Sequence, residues 1–316
     1  MDTMNLGGLS RPYDSRDFNL GMYQPDTLFP ESYKTDISKV RKIYQNGWPA
    51  CGAHAGSHFK EIQESVQDGL YREYSPKFLW NQIKKIDGFP PAMGTDIRSI
   101  MKALYTKGVC SYSLLPNNYT DNLTQYSYAP ISQEMLSNAL PNRIGAYAFN
   151  NYPTVDELKA AIYKNKVVIA LLWIDEGFFF TNKPTFTELN KFGHFVVFYG
   201  YDSEKLYMID STESIEVFLE KEMPFTALKF IREIATAIDL PNQFIFKNNL
   251  YYGMKNNSDV KQLQIRLGLS PENQTGNFGP LTLAAVIKYQ VANKIFPPHG
   301  FVGPLTRAKL NTNGTI

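Results

Sequence analysis

The feature that most constrains the fold is a seven-residue pattern that occurs twice near the C-terminus, 24 residues apart. It reads Gly-Asn-Phe-Gly-Pro-Leu-Thr at 276–282 and Gly-Phe-Val-Gly-Pro-Leu-Thr at 300–306. Each proline suits the first position of a helix, where its fixed φ is already helical and its missing N–H is not needed. Apolar residues at helical spacing precede the first copy and follow it. The repeat therefore predicts a small domain of three helices over residues 257–313.

The rest of the 316-residue chain is long enough for one larger domain. Hydrophobic residues make up 43% of the chain and aromatic residues 14%, so a packed core is expected rather than disorder. Residues 1–28 are polar and turn-rich, which indicates an N-terminal arm or a short leader. Pro241, paired asparagines and Gly253 mark a linker over residues 241–256, which leaves residues 29–240 for the large domain.

The charge balance and the N-terminus exclude several classes of protein. Lys and Arg number 32 against 30 Asp and Glu, which is far from the concentrated basic charge that binds nucleic acid. The chain starts without the basic and apolar segments of a signal peptide, and its apolar runs are shorter than the roughly 20 residues of a membrane span. We expect a protein that is made in the cytoplasm, has no nucleic-acid partner and does not span a membrane.

The pattern of the large domain changes along the chain. Apolar side chains recur at helical spacing in three early segments, residues 53–71, 76–86 and 95–107. Short apolar runs rich in β-branched or aromatic residues, as strands are, occupy three later segments, residues 167–174, 195–200 and 205–209. The order predicts an α+β fold with a helical half, a β half and a cleft between them.

Four residues have the types and positions that nucleophilic acyl transfer needs. Cys51 lies at the start of the first predicted helix, where the helix dipole stabilises a thiolate. Gln45, six residues earlier, can place a side-chain amide beside the Cys51 backbone N–H to bind an oxyanion. His194 opens an apolar strand, and Asp210 lies 16 residues later at the end of the next strand. Neighbouring antiparallel strands would bring the two together as base and orienting group.

The segment Gln45-Asn-Gly-Trp-Pro-Ala-Cys51-Gly-Ala-His-Ala resembles the papain family, in which a Gln precedes the nucleophilic Cys by six residues. Residues 193–202, Gly-His-Phe-Val-Val-Phe-Tyr-Gly-Tyr-Asp, resemble the strand that carries the family's histidine. With the segment at 30–36, which is similar to the mature N-terminus of the family, the resemblance covers about residues 29–240. It implies a two-lobed papain-like fold and a cysteine endopeptidase that needs no cofactor and cleaves a peptide or protein substrate.

The resemblance also assigns roles to individual residues. Cys51 would attack the substrate, His194 would transfer the proton, Asp210 would orient the imidazole and Gln45 would stabilise the oxyanion. Residues assigned to substrate binding are Gly94, whose backbone would pair with the substrate, Phe192, as a pocket wall, and Gly193.

The chain departs from the family at three points. Asp210 stands where most members have Asn, and an Asp stabilises the charged imidazole more strongly. Gly52 replaces the usual Trp, and Asp210-Ser-Thr-Glu213 replaces Asn-Ser-Trp-Gly, so the aromatic cover over the histidine pair is expected to be missing. The 28 residues before Phe29 are too few for the usual inhibitory prodomain, so any latency must work differently.

The C-terminal repeat, together with Val260-Lys-Gln-Leu-Gln264, resembles the peptidoglycan-binding type 1 domain. This resemblance implies peptidoglycan as a partner and action at the bacterial cell wall, on stem peptides or wall-associated proteins. A bacteriophage lysin or virion component, or a bacterial enzyme, would have this arrangement. One alternative is a peptidase fold with weak or no activity that serves as a peptidoglycan-binding or structural module. Another is a small domain that only packs against the catalytic one.

The first predicted helix allows other interpretations of its cysteine. Cys51, His54 and His58 lie on one helical face and could bind zinc, but no fourth ligand is evident, so no metal is expected. Cys51 could also be an inert buried thiol. The joint spacing of Gln45, Cys51, His194 and Asp210 favours the catalytic interpretation.

Overall fold

A computed structural model describes residues 7–11, 28–69, 71–188, 192–213, 220–239 and 246–312. The chain divides into two compact units, Met1–Pro241 and Asn242–Ile316. The first combines helices with a β-sheet, and the second contains three helices, which confirms the predicted fold class. No helix among these residues is both long enough and apolar enough to cross a bilayer.

The described elements of the first unit are labelled in chain order. Its helices are α1 (Cys51–Asp68), α2 (Pro76–Ile83), α3 (Ile97–Thr106), α4 (Leu123–Ser127), α5 (Gln133–Ala139) and α6 (Val155–Asn165). Its strands are β1 (Gly8–Leu9), β2 (Tyr33–Lys34), β3 (Thr95–Asp96), β4 (Ile144–Asn151), β5 (Val168–Ile174), β6 (Phe192–Tyr201), β7 (Lys205–Ile209), β8 (Glu220–Pro224) and β9 (Ile231–Asp239).

Three helices that the sequence predicts, α1 to α3, form the core of the helical lobe. Helix α2 begins as expected, because Ser75 accepts a hydrogen bond from Phe78 N at 3.0 Å and proline fills the first position. Helix α3 begins two residues later than predicted. Asp96 caps it by accepting from Ser99 N at 3.0 Å, and this leaves Thr95 and Asp96 extended as strand β3.

The large sheet has the strand order β4-β9-β5-β6-β7-β8 with antiparallel neighbours, and β2 adds to β6. Successive side chains of a strand point to opposite faces. Ile169 and Leu171 therefore join the core shared with the helical lobe, while Val168, Ala170 and Leu172 join a second core under α6. Because both faces of β5 are buried, its sequence is continuously apolar rather than alternating.

The second unit contains helices α7 (Ser258–Arg266), α8 (Pro280–Ala292) and α9 (Pro304–Thr312). Its core extends into residues that the sequence assigned to the linker at 241–256. Phe246 and Leu250 are buried in this core, and Leu250 forms a β-bridge with Val302. The second unit thus includes residues before 257, because two apolar side chains in an otherwise turn-rich segment find partners there.

A buried glutamine holds the first copy of the sequence repeat. Gln264 Nε2 donates to Asn277 O at 2.9 Å and to Thr282 Oγ1 at 2.8 Å. Its Oε1 accepts from Gly276 N at 2.9 Å. The side chain therefore fixes the start of the Gly-x-x-Gly-Pro-Leu-Thr turn to the preceding helix.

The second copy has the same device. Gln290 Nε2 donates to Phe301 O at 2.8 Å and to Thr306 Oγ1 at 3.1 Å, and its Oε1 accepts from Gly300 N at 2.9 Å. The repeated Gly and Thr positions are thus partners of a repeated Gln.

We expect Gln264→Ala to destabilise the second unit by about 2–3 kcal/mol, because it leaves buried donors and acceptors without partners. Hydrogen exchange of the α7 to α9 amides in the full-length chain measures the loss of protection. Gln262→Ala is the matched control, since Gln262 lies on the same helix and is partly exposed, and it should change stability by less than about 0.5 kcal/mol. Equal protection in the two variants would contradict the role of Gln264.

Candidate active site

Cys51 is the first residue of α1 and is wholly buried. A tight turn delivers the chain to it: Asn46 and Gly47 have φ values of 55° and 70°, in the left-handed region, and Trp48 N donates to Gln45 O at 3.1 Å. The Trp48 ring stacks on Tyr126 with ring centroids 3.9 Å apart. This packing fixes the turn, and the predicted position of Cys51 at a helix N-terminus is confirmed.

Gln45 links this turn to the β lobe. Its backbone N donates to Ser211 O at 2.9 Å, and its Oε1 accepts from Ser211 Oγ at 2.8 Å. Its Nε2 donates one hydrogen to Trp48 O at 2.9 Å. A side-chain amide has two N–H donors, so Gln45 retains the donor capacity that an oxyanion requires.

His194 and Asp210 are brought together by the pairing of β6 with β7. His194 Nε2 lies 2.7 Å from Asp210 Oδ1, and both side chains are wholly buried. A carboxylate only accepts, so Nε2 carries the proton in this hydrogen bond. The Cys51 side chain interacts with the same imidazole. Nδ1, which bonds no other described nitrogen or oxygen, is the ring atom left for it.

The surroundings of the imidazole favour its protonated form. Burial alone would lower the pKa of His194, but the hydrogen bonds and charges of Asp210 and Cys51 outweigh burial and raise it to about 9. Burial acts in the opposite direction on Asp210, yet His194 and Lys221 hold the pKa of that carboxyl below its usual value. The protonated form of His194 is therefore favoured, and an adjacent imidazolium favours a cysteine thiolate.

Lys221, which the sequence did not single out, completes the buried charges. It lies on β8 opposite Met208 of β7, and its Nζ is 3.6 Å from Asp210 Oδ2 and 2.7 Å from Glu213 Oε1. The ammonium also donates to Phe178 O at 2.7 Å. A buried carboxylate needs a counter-charge or donors. Lys221 supplies the counter-charge to the Asp that replaces the usual Asn, and Thr212 N donates to Asp210 Oδ1 at 3.2 Å.

The expectation that aromatic cover is missing from the histidine is wrong. Phe178 packs its ring edge-on against His194, with centroids 5.6 Å apart. A Trp at position 52 would not fit, because a Cβ added to Gly52 would lie 2.7 Å from side-chain atoms of Ile100 and Thr95. The aromatic neighbour thus comes from a different part of the chain.

The chain's own N-terminal segment, residues 7–11, lies along the helical wall of the site. Strand β1 pairs in parallel with β3, and Thr95 N donates to Gly7 O at 2.7 Å. A Cβ added to Gly94 would lie 1.9 Å from Gly7 O, and one added to Gly7 would lie 2.0 Å from Pro49 O. Gly94 lies close to a backbone, but that backbone belongs to the chain itself, and the hydrogen bond to it comes from the neighbouring Thr95.

The same segment contacts the opposite wall. A Cβ added to Gly193 would lie 1.8 Å from Gly8 O, and one added to Gly8 would lie 2.7 Å from His194 N. The segment therefore passes between Gly94 and Gly193, and the paired side chains of Cys51 and His194 beneath it have no exposed surface. Phe192, the other expected substrate residue, packs at the edge of the second core.

His54 and His58, the other members of the zinc hypothesis, make different interactions. His54 Nδ1 lies 3.0 Å from Ala50 O, and His58 Nε2 lies 3.1 Å from Arg41 O. Burial lowers the pKa of His54 to about 3 and that of His58 to about 4. Both are neutral packing residues, and the described part of the chain holds no group of three His, Cys, Asp or Glu side chains arranged for a metal.

Comparison with solved structures identifies the fold. Xylellain, a cysteine protease from Xylella fastidiosa, matches with a TM-score of 0.65 and 20% identity over 76% of this chain and 97% of its own. The procathepsin B S9 from Trypanosoma congolense matches with a TM-score of 0.58 and 12% identity over 75% and 86%. The first unit has the papain-like fold. Procathepsin L 3 of the Tenebrio molitor larval midgut is a third match, with a TM-score of 0.55 and 14% identity over 75% and 77%.

The second unit is recognised by its sequence. Residues 256–310 match the family model of the putative peptidoglycan binding domain, which confirms the second predicted resemblance. Comparison of the chain with curated protein sequences gave no significant match.

We expect Asp210→Asn to lower the pKa of His194 by about one unit or more, because a neutral amide no longer stabilises the imidazolium. The chain has only four histidines, so an NMR titration resolves the His194 ring directly. In the parent chain the ring should lose its proton near pH 9, and in the variant at lower pH. Asp156→Asn, an exposed control on α6, should leave this titration unchanged. An unchanged pKa in Asp210→Asn would contradict the assigned electrostatics.

Proposed function

We propose that this protein is a cysteine endopeptidase directed to the bacterial cell wall. The observation that carries the proposal is the buried His194–Asp210 hydrogen bond, with Nε2 and Oδ1 2.7 Å apart, beside a cysteine at a helix N-terminus. This arrangement supplies a nucleophile, a proton carrier and an orienting group. The papain-like fold and the names of its structural neighbours, a cysteine protease and two procathepsins, support the same reaction.

The proposed reaction proceeds through an acyl-enzyme. The Cys51 thiolate attacks the carbonyl carbon of a peptide bond, and the oxyanion accepts hydrogen bonds from Cys51 N and the Gln45 side chain. The His194 imidazolium gives its proton to the leaving amine, and the C–N bond breaks. His194 then takes a proton from water as the water oxygen attacks the thioester. The carboxylic acid is released and Cys51 leaves as the thiolate, which restores the thiolate–imidazolium pair.

The second unit supports the wall as the place of action. Its match to peptidoglycan binding domains favours substrates that lie in the wall, namely stem peptides or wall-associated proteins. A bacteriophage lysin or virion component is the finer form of this proposal. Peptidoglycan binding without cleavage is the competing function, and the burial of Cys51 and His194 under residues 7–11 favours it.

Gly8→Ala should open the site, because the added Cβ has no space against Gly193 and His194 N. We expect the rate of Cys51 alkylation by iodoacetamide to rise at least about tenfold, which corresponds to about 1.4 kcal/mol of lost segment binding. Cys110 is an internal reference, since burial raises the pKa of its thiol to about 12.

The matched control for this experiment is Gly279→Ala, where an added Cβ meets no atom within 4 Å. This control should react at the parent rate. A parent rate in Gly8→Ala as well would show that residues 7–11 do not limit access to Cys51.

Purified sacculi test the function itself. The Gly8→Ala chain should release new amino termini, detected by mass spectrometry, and Gly8→Ala/Cys51→Ala should release at least about 1000-fold fewer because it lacks the nucleophile. Both chains should sediment equally with sacculi. Sedimentation without any new termini from Gly8→Ala would support the binding protein over the peptidase.

A further inference from the structure

The N-terminal segment carries an arginine whose side chain is largely buried. Arg11 N donates to Glu233 Oε1 at 3.0 Å, and Arg11 Nε lies 3.0 Å from Glu233 Oε2. The side chains of Arg11 and Glu233 are only 7% and 6% exposed. Arg11 is therefore held in the protein by a carboxylate that is itself largely withdrawn from water.

Two further groups contact the same guanidinium. Arg11 Nη2 donates to Asn151 Oδ1 at 3.2 Å, and the guanidinium carbon lies 4.4 Å from the centroid of the Phe149 ring. A carboxylate, an amide oxygen and an aromatic face are three kinds of group that attract a cation. The neighbouring Arg232 does not compete for this position, because its guanidinium lies over the Tyr152 ring at 4.5 Å.

The backbone positions of these groups are fixed by the sheet. Asn151 pairs with Glu233 across β4 and β9, and Leu171 of β5 pairs with Glu233 on the other side. Burial and the nearby Asp96 raise the pKa of Glu233, while Arg11 opposes that rise. Without a cation the sheet would hold a buried carboxylate that has lost its counter-charge.

A substrate must use the space that residues 7–11 fill. The backbone of Gly7 and Gly8 touches both Gly94 and Gly193, and no second peptide chain fits between these walls at the same time. A peptide bound across Cys51 and His194 therefore displaces the segment, and Arg11 leaves Glu233. The displacement is favoured most by a peptide that brings a positive charge of its own to the same groups.

We propose that Glu233, Asn151 and Phe149 form a substrate subsite for a cationic side chain, a guanidinium or a primary amine. The subsite rests on the proposed function, because it serves a peptide bound across Cys51 and His194. The expected substrates are peptides with small residues beside Cys51 and His194 and a basic residue a few positions away along the peptide. Glu233 is the specificity-determining residue.

Peptide binding tests the subsite without any need for catalysis. The probes are acetyl-Gly-Gly-Leu-Ser-Arg-amide, which copies residues 7–11, and its citrulline analogue, which has the same shape and no charge. A third probe carries Lys in place of Arg and distinguishes an amine from a guanidinium. Isothermal titration measures their binding to the full-length Gly8→Ala/Cys51→Ala chain. We expect the Arg probe to bind at least tenfold more tightly than the citrulline probe, and Glu233→Gln to abolish the difference.

Asn151→Ala provides a second test, because Asn151 lies at an exposed position where the substitution leaves the core intact. It should reduce the preference for Arg several-fold. Equal binding of the charged and neutral probes, a preference that survives Glu233→Gln, or binding of neither probe would overturn the subsite. These outcomes are separate from the proposed reaction, since sacculi can still be cleaved by an enzyme that has no preference for a cation.

Discussion

The hydrogen bond between His194 and Asp210 is the interaction on which the rest of the site depends. It joins two buried groups of opposite charge, and each requires a further partner. Asp210 and Cys51 together raise the pKa of the imidazole against the effect of burial. Asp210 in turn needs Lys221, whose own charge is balanced by Glu213. The order of strands β6, β7 and β8 brings these groups together, so the sheet is as much a part of this arrangement of charges as the helix that carries Cys51. Replacing the usual Asn by Asp adds a buried negative charge, and the buried lysine explains how the fold tolerates it.

The N-terminal segment has two physical effects on this arrangement. It removes water from Cys51 and His194, and a lower local dielectric strengthens the attraction between the charges beneath it. It also occupies the narrow space that any peptide must enter, since Gly94 and Gly193 allow a backbone to approach without a side chain in the way. Residues 7–11 reach both walls of the site, and Arg11 among them is held by Glu233.

The sequence predicts those features that depend on local pattern. Capping, periodicity and turn residues predict Cys51 at the start of a helix, strand β7 and the three helices of the repeat. The 16-residue spacing of His194 and Asp210 fits two adjacent antiparallel strands.

Features that depend on register or on distant contacts could not be predicted. Lys221 lies in a charged stretch typical of an exposed edge, and only its pairing opposite Met208 buries it. Arg11 and Glu233 are 222 residues apart, and no local pattern relates them. The aromatic neighbour Phe178 likewise could not be predicted, because it approaches His194 in space and not along the sequence.

Glu233, Asn151 and Phe149 hold Arg11 in the closed site, and under the proposed function they also bind the basic side chain of a substrate. Substrate therefore competes with residues 7–11. A segment that belongs to the chain competes at a high effective concentration, which a free peptide at ordinary concentration does not match. When the second unit is bound to a surface, the peptides of that surface are also present at high local concentration. Binding of such a peptide to the first unit is then effectively intramolecular. Under the proposed function the wall is that surface, since residues 256–310 match the putative peptidoglycan binding domain. Peptides of the wall would then displace residues 7–11 more readily than soluble peptides of the same sequence, so attachment to the wall and opening of the site favour each other.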